Sequence, residues 1–304
     1  MAKVVVFGSI NMDLVTYVDA LSQMGETVTG AKFQSFPGGK GANQAVAAAR
    51  AGAHVEMYGC VGDDSIGQEC LQNLQVAGID THAVLVKAEE HSGIAQIMVD
   101  ARGENIITVA PGANFLVNHG DIVITRRDVD EGAIALFQNE IPQATTEAVI
   151  QSCRKQGISV VWNTAPACKC RPSRETMEAV DYLICNRGEL RTLIGVEGDD
   201  ESLAIKLREW GVRNVIVTLG ERGSLLVNGE GVWYQAAFPI SPVDTVGAGD
   251  CFCGVFACSL AVESPVREAL RRASAAAALS IEARGAQTSM PSVERIEEFL
   301  LQVN

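Results

Sequence analysis

The chain has 304 residues, 47% of them apolar and 20% charged, which is material for a sizeable core and predicts one large domain with a smaller appendage, or two domains. A formal net charge of −13, with no basic run longer than two residues, argues against nucleic acid as a partner, because backbone phosphates are held by clustered Lys and Arg. Any anionic substrate has to be held by local donors.

Taken from the N-terminus, an apolar run at 4–8 predicts a first strand, and Gly8-Ser9-Ile10-Asn11-Met12-Asp13 leaves its carboxyl end. Asn11 and Asp13 stand on alternate residues and so on one side; such a pair binds ligand hydroxyls or serves as solvated turn residues. Residues 13–36 show no helical period. The stretch Phe36-Pro37-Gly38-Gly39-Lys40-Gly41-Ala42-Asn43-Gln44 then opens an Ala-rich helix predicted at 41–51. Its glycines permit close backbone approach, and Lys40 and Asn43 offer hydrogen bonds to a small polar ligand; a tight turn with a helix cap is the competing account. It is neither a Walker A loop nor a dinucleotide fingerprint. A strand at 55–61 and a helix at 66–77 follow, and 94–99 with 106–109 read as a hairpin. Together with 13–36 the hairpin predicts a small, separate β layer made from two distant pieces: a lid over the sheet's carboxyl edge, a plain edge extension or a dimer surface.

Further strands at 133–138, 160–163, 182–185 and 215–219 alternate with helices at 146–156, 187–194 and 202–210, with Thr145 as a start signal and Gly211 as a stop signal. This alternation predicts an α/β fold: a doubly wound, mostly parallel sheet with helices on both faces, plus the small β-sheet lid. The corresponding division is 1–12, 37–92 and 111–304 for the α/β domain, with 13–36 and 93–110 for the discontinuous lid. Asn186 and Glu189 fall one turn apart at a helix start, as a capping box or as holders of a hydrated Mg²⁺. The last helices are predicted at 249–261, 266–281 and 293–303. Ahead of the first of these, Asp244-Thr245-Val246-Gly247-Ala248-Gly249-Asp250 puts a carboxylate behind a glycine pair. That arrangement is an anion hole with its own general base, or an ordinary acidic residue stabilised by the helix dipole.

Nine cysteines, an odd number without a Cys-x-x-Cys pair, read as free thiols in a reducing compartment, and the Cys-x-Cys pairs at 168–170 and 251–253 read as structural thiols in preference to a metal site. The N-terminus runs straight into a strand pattern, and no apolar stretch reaches membrane length. The expectation is a cytoplasmic protein without a membrane partner.

Taken together, Gly8–Asp13, Gly38–Gln44, Asn186-x-x-Glu189, Thr218-Leu219-Gly220 and Asp244–Asp250 resemble, in order and across nearly the whole chain, the ribokinase (phosphofructokinase B) family of carbohydrate kinases. The resemblance implies transfer of the γ-phosphate of ATP to the primary hydroxyl of a pentose, D-ribose at O5 above all, with 2-deoxyribose or another sugar or nucleoside as the alternative. It implies Asp250 as catalytic base, Gly247, Ala248 and Gly249 as anion hole, and Asn11, Asp13, Gly39, Lys40, Asn43 and Glu140 as sugar contacts. Asn186 and Glu189 would order Mg²⁺ and phosphate, and Thr218, Gly220 and Ser274 would meet the nucleotide. A monovalent cation, K⁺, would be held by Asp244 and Ser289 side chains and by carbonyls of Val246, Ser280, Ala283 and Gly285. A homodimer through the lid is also implied. Two positions depart from the family pattern: Ser274 replaces the usual Asn or His, and Cys251 the usual Thr, Ser or Ala. From other classes, a dinucleotide-binding oxidoreductase lacks its glycine fingerprint, and a silent sugar sensor has no need of Asp250.

Overall fold

The computed structural model describes residues 2–122 and 132–303. In chain order these form β1 (Lys3–Phe7), β2 (Asn11–Tyr17), β3 (Lys32–Gly38), α1 (Lys40–Arg50), β4 (His54–Gly62), α2 (Ser65–Val76), β5 (Val84–Lys87), β6 (Gly93–Val99) and β7 (Asn105–Ala110). Then come β8 (Ile134–Phe137), α3 (Gln143–Lys155), β9 (Ser159–Asn163), α4 (Arg174–Ala179), β10 (Tyr182–Asn186), α5 (Arg187–Ile194), α6 (Asp200–Arg208) and β11 (Asn214–Thr218). The chain closes with β12 (Ser224–Asn228), β13 (Gly231–Gln235), α7 (Ala248–Ala261), α8 (Val266–Ser280) and α9 (Val293–Gln302).

Among the described residues, nine strands form one sheet in the order β13-β12-β11-β10-β9-β8-β1-β4-β5. The strands from β11 through β5 pair parallel, and β12 and β13 add an antiparallel edge. A strand covered on both faces can be apolar at every residue. Thus Val4 and Val6 of β1 join a core with α1, α7 and α8, while Val5 and Phe7 join a second core with α3 to α6 on the opposite face. The four-stranded sheet runs β3-β2-β6-β7, and its two chain pieces meet where β2 and β6 pair in parallel, Asn11 beside Gly93 and Tyr17 beside Val99. The separate β layer expected from the sequence is present.

Several local expectations are corrected. Asn11 and Asp13 do not end β1; they begin β2, after residues 8–10 carry the chain from the large sheet into the small one. Thr145 is no cap: α3 starts earlier, after Pro142, and the Thr145 hydroxyl donates to the Val117 carbonyl. Helix α6 runs from the Asp199 cap to Arg208, so Gly211, at φ 117°, belongs to the turn that follows. The expectations for 123–131 as part of the α/β domain lie outside the described residues.

Candidate active site

Helix α7 begins where Gly247 takes φ 78°, a left-handed conformation open to glycine, and where an added Cβ would lie 2.8 Å from that of Ala286. The next residues start a 14-residue helix, and the first amides of a helix have no acceptors within it. With the helix dipole behind them, the amides of Gly247 and Gly249 can receive an anion, while that of Ala248, expected beside them, also donates to the Thr245 carbonyl at 3.3 Å. Asp250 lies in that first turn and is buried.

A buried carboxylate needs donors. Asn43 Nδ2 donates to Asp250 Oδ2 at 3.0 Å, and Gln44 Nε2 to Oδ1 at 3.0 Å. Both donors come from the first turns of α1, which packs along α7. The Gln44 amine also meets Asn163 Oδ1 at the carboxyl end of β9, and its carbonyl accepts from Gln138 Nε2, just beyond β8, at 2.8 Å. Each amide is thereby fixed in one orientation, with its NH₂ toward the carboxylate. Asn43, expected among the sugar contacts, has both ends of its amide on protein partners, since its Oδ1 accepts from Gln287.

On the other side of α1, Glu140 Oε2 accepts from Ser9 Oγ at 2.5 Å and from the Lys40 backbone amide at 2.9 Å, so its charge sits on the helix N-terminus. Asp13 reaches the same space from β2, so close under Gly38 that a Cβ there would fall 2.5 Å from its carboxyl group. Burial raises the Asp13 pKa to about 6, Glu140 and Asp250 add to the rise, and Lys40 opposes it. Lys40 in turn is held more firmly protonated, first by Asp250 and then, against the cost of burial, by Glu140 and Glu189. Asn11 is buried, and its Oδ1 accepts from Asn114 Nδ2 at 2.8 Å. Asn114 also accepts from the Ile10 amide, pinning the crossing between the sheets.

Asn186 and Glu189 form a complete capping box on α5, with each side chain bonded to the other's backbone amide. Only Oε2 of Glu189 takes part. Burial raises the pKa of this carboxyl group, and a cation beside it would relieve that penalty, so the donor set suits a hydrated Mg²⁺. Thr218 ends the neighbouring strand β11, and Gly220 follows at φ 62°. Ser274 is buried midway along α8. Asp244 accepts from the amides of Val246 and Gly285, at 3.0 and 2.9 Å, and so ties together the two loops expected to hold a monovalent cation; its oxygens keep lone pairs for one. Ser289 and Ser280 hydroxyls donate to the carbonyls of Ala286 and Ala277. Among the described residues no cluster of three or more His, Cys, Asp and Glu side chains could hold a metal, and Cys168, Cys170, Cys251 and Cys253 are free thiols. Cys251 is fully buried and burial pushes its thiol up to about 12, so it packs as a small apolar group.

Asp13, Lys40, Glu140, Glu189 and Asp250 are therefore brought into one charged cluster, in which the shifts of Asp13, Lys40 and Glu189 register the neighbouring charges. Sequence reading passed over Ser9, Gln44, Asn114, Gln138 and Asn163, although Gln138 and Asn163 carried a signal: each is an amide closing an apolar strand run at the large sheet's carboxyl edge.

Comparison with known proteins gives a consistent result. Residues 1–293 match the family described as pfkB family carbohydrate kinase. The chain is 39% identical to a ribokinase of Bacillus subtilis over 301 residues, covering 99% of this chain and 100% of the relative. It is 35% identical to a deoxyribokinase of Salmonella typhi over 310 residues, covering 98% of each. The structure of Arabidopsis thaliana ribokinase complexed with ribose and ATP matches with a TM-score of 0.90 at 30% identity, over 99% of both chains.

Proposed function

Because the chain belongs to the pfkB family of carbohydrate kinases, we propose that it transfers the γ-phosphate of ATP to the primary hydroxyl of a pentose, D-ribose at O5. The observation that carries this reading is Asp250, buried in the first turn of α7 beside the amides that open the helix and held by Asn43 and Gln44. A base there accepts the hydroxyl proton while the attacking oxygen lies in line with phosphorus. Asn11, Asp13, Gly39, Lys40 and Glu140 orient the sugar; Asn43, bonded at both ends, holds the base. The amides at Gly247 to Gly249, with Lys40, meet charge developing on the transferred group. Asn186 and Glu189 hold hydrated Mg²⁺, which when bound neutralises phosphate charge. Thr218, Gly220 and Ser274 receive the nucleotide. Asp244 and Ser289, with the carbonyls of Val246, Ser280, Ala283 and Gly285, would hold K⁺, which would supply a fixed positive charge beside the loop whose amides meet phosphate. The four-stranded sheet is the lid and the surface through which two copies pair.

2-Deoxyribose is the second reading, favoured by the 35% identity with a deoxyribokinase. One coupled assay of ADP release against pentoses, 2-deoxypentoses, hexoses and nucleosides, run in K⁺ and in Na⁺, tests both. D-Ribose should give the highest kcat/KM and K⁺ the higher rate; highest turnover with a hexose or nucleoside would overturn the substrate assignment.

A further inference from the structure

The hydrogen bonds that hold Asp250 continue beyond the site. An ionised carboxylate only accepts, so Asn43 must face it with Nδ2, which turns Asn43 Oδ1 the opposite way. There it accepts from Gln287 Nε2 at 3.0 Å. Gln287 Oε1 in turn accepts from Asn73 Nδ2 at 2.7 Å. All three amides donate in the same direction, toward Asp250. Gln287 is buried, in the segment after Gly285, while Asn73 on α2 is partly exposed and lines with Gln287, Phe36, Val46 and Arg50 a cleft of about 350 Å³. Neither Gln287 nor Asn73 belongs to the expected sugar, nucleotide or cation contacts.

An asparagine amide can turn by half a rotation with almost no change of shape, so its partners decide which end faces which way. We propose that Gln287 is a positioning residue for phosphoryl transfer: by donating to Asn43 Oδ1 it keeps the Asn43 NH₂ on Asp250, and Asn73 performs the same service for Gln287. The inference rests on Asp250 being the base. Without the Gln287 donor, Asn43 can turn its oxygen against the carboxylate, and the base loses the bond that fixes its plane.

Gln287→Glu and Gln287→Met separate this from packing. Glutamate keeps the shape and the acceptor for Asn73 but presents a carboxylate to Asn43 Oδ1, which drives the turn; methionine removes the donor to Asn43 and the acceptor for Asn73 but sets no charge against Asn43. The expected kcat loss is about ten- to a hundredfold for Gln287→Glu and about three- to tenfold for Gln287→Met, with the KM for ATP unchanged. Lowering the pH protonates the introduced glutamate and restores an O–H donor. Arg50, lining the same cleft, favours its charged form, while burial and Asp250, one amide away, oppose it. The ratio of Gln287→Glu to wild-type kcat should therefore climb as pH falls from about 8 to about 6, with the Gln287→Met ratio flat. Asn73→Asp, at the exposed end, should lower kcat by about two- to fivefold and covers the case in which position 287 does not tolerate change. Equal losses in both Gln287 variants with pH-independent ratios, or wild-type kcat in Gln287→Glu or Asn73→Asp, would overturn the proposal. Asp250→Asn in the same series separates the premise from the inference: if it keeps turnover the base assignment fails, whereas an inactive Asp250→Asn beside unaffected Gln287 variants removes the amide line alone.

Discussion

In the nine-stranded sheet β1 buries four consecutive residues, Val4 to Phe7, whereas β7 of the four-stranded sheet leaves Ile106, Ile107 and Val109 exposed to 49, 54 and 50%. The large sheet is closed by helices on both faces, so polar groups at its carboxyl edge meet partners that are themselves fixed. Gln138 and Asn163 are such groups, and through Gln44 they hold Asp250. The small sheet contributes Asn11 and Asp13 at one end, from the start of its inner strand β2, and leaves apolar side chains of its edge strand β7 exposed. On the proposed function, the base thus sits against the sheet covered on both faces, and the acid assigned to the sugar on the half-exposed one. Changes in the large sheet's site should strike turnover, changes at the start of β2 should strike sugar affinity, and changes on the exposed β7 should strike association.

The largest effect is expected at Asp250. Asp250→Asn keeps the shape but cannot take the hydroxyl proton, and kcat should fall by about 10²- to 10⁴-fold while calorimetry shows ATP still bound. Turnover within about threefold of wild type would break the assignment of the chemistry to the large sheet.

Asp13→Asn should reduce kcat/KM for the sugar by about ten- to a hundredfold, through KM, with the KM for ATP little changed. Its stability should move the other way. In the folded chain Asp13 holds its proton up to about 6, against an ordinary value of 3.8, because burial disfavours the charge. The cost to the fold is therefore absent below 3.8, grows as the pH rises, and is complete above about 6. The asparagine variant, which cannot ionise, should melt above wild type at about pH 8, and the gain should vanish as the pH falls below about 4. A pH-independent difference in Tm would mean that Asp13 does not carry this strain.

The smallest effect on catalysis is expected on the exposed β7. Ile107→Lys puts a charge on the apolar strip and should shift a dimer toward monomer in sedimentation, with kcat altered by no more than about threefold. A wild-type chain that sediments as a monomer would remove the dimer from the reading.

Both sheets were foreshadowed in the sequence, to different depths. The parallel strands announced themselves as short β-branched runs between helix-length segments, because burial on both faces demands apolar residues throughout. The hairpin of β12 and β13 was passed over although Asn228-Gly229-Glu230-Gly231 marks its turn, and β5 and α4, of four and six residues, are too short to show a period. In the site, the glycine-rich segments were legible because a backbone that must approach a ligand leaves few choices of residue. The amides around Asp250 were not, since Asn43 and Gln44 meet it only after more than 200 residues of intervening chain fold. Asn186 and Glu189 were legible as a cap, which the structure contains.

The parallel pairing of β2 with β6 also has a consequence for a chain emerging from the ribosome. The hairpin of β2 and β3 leaves the exit tunnel long before its partner, since Asn11 waits for Gly93 and Tyr17 for Val99. Until then one side of β2 is an unpaired strand edge, open to pairing with any neighbouring nascent chain. Synthesis that stalls between residues 38 and 93 would leave that edge open, and overexpression would crowd such edges together. Release of soluble protein therefore depends on how quickly the second half of the small sheet is delivered.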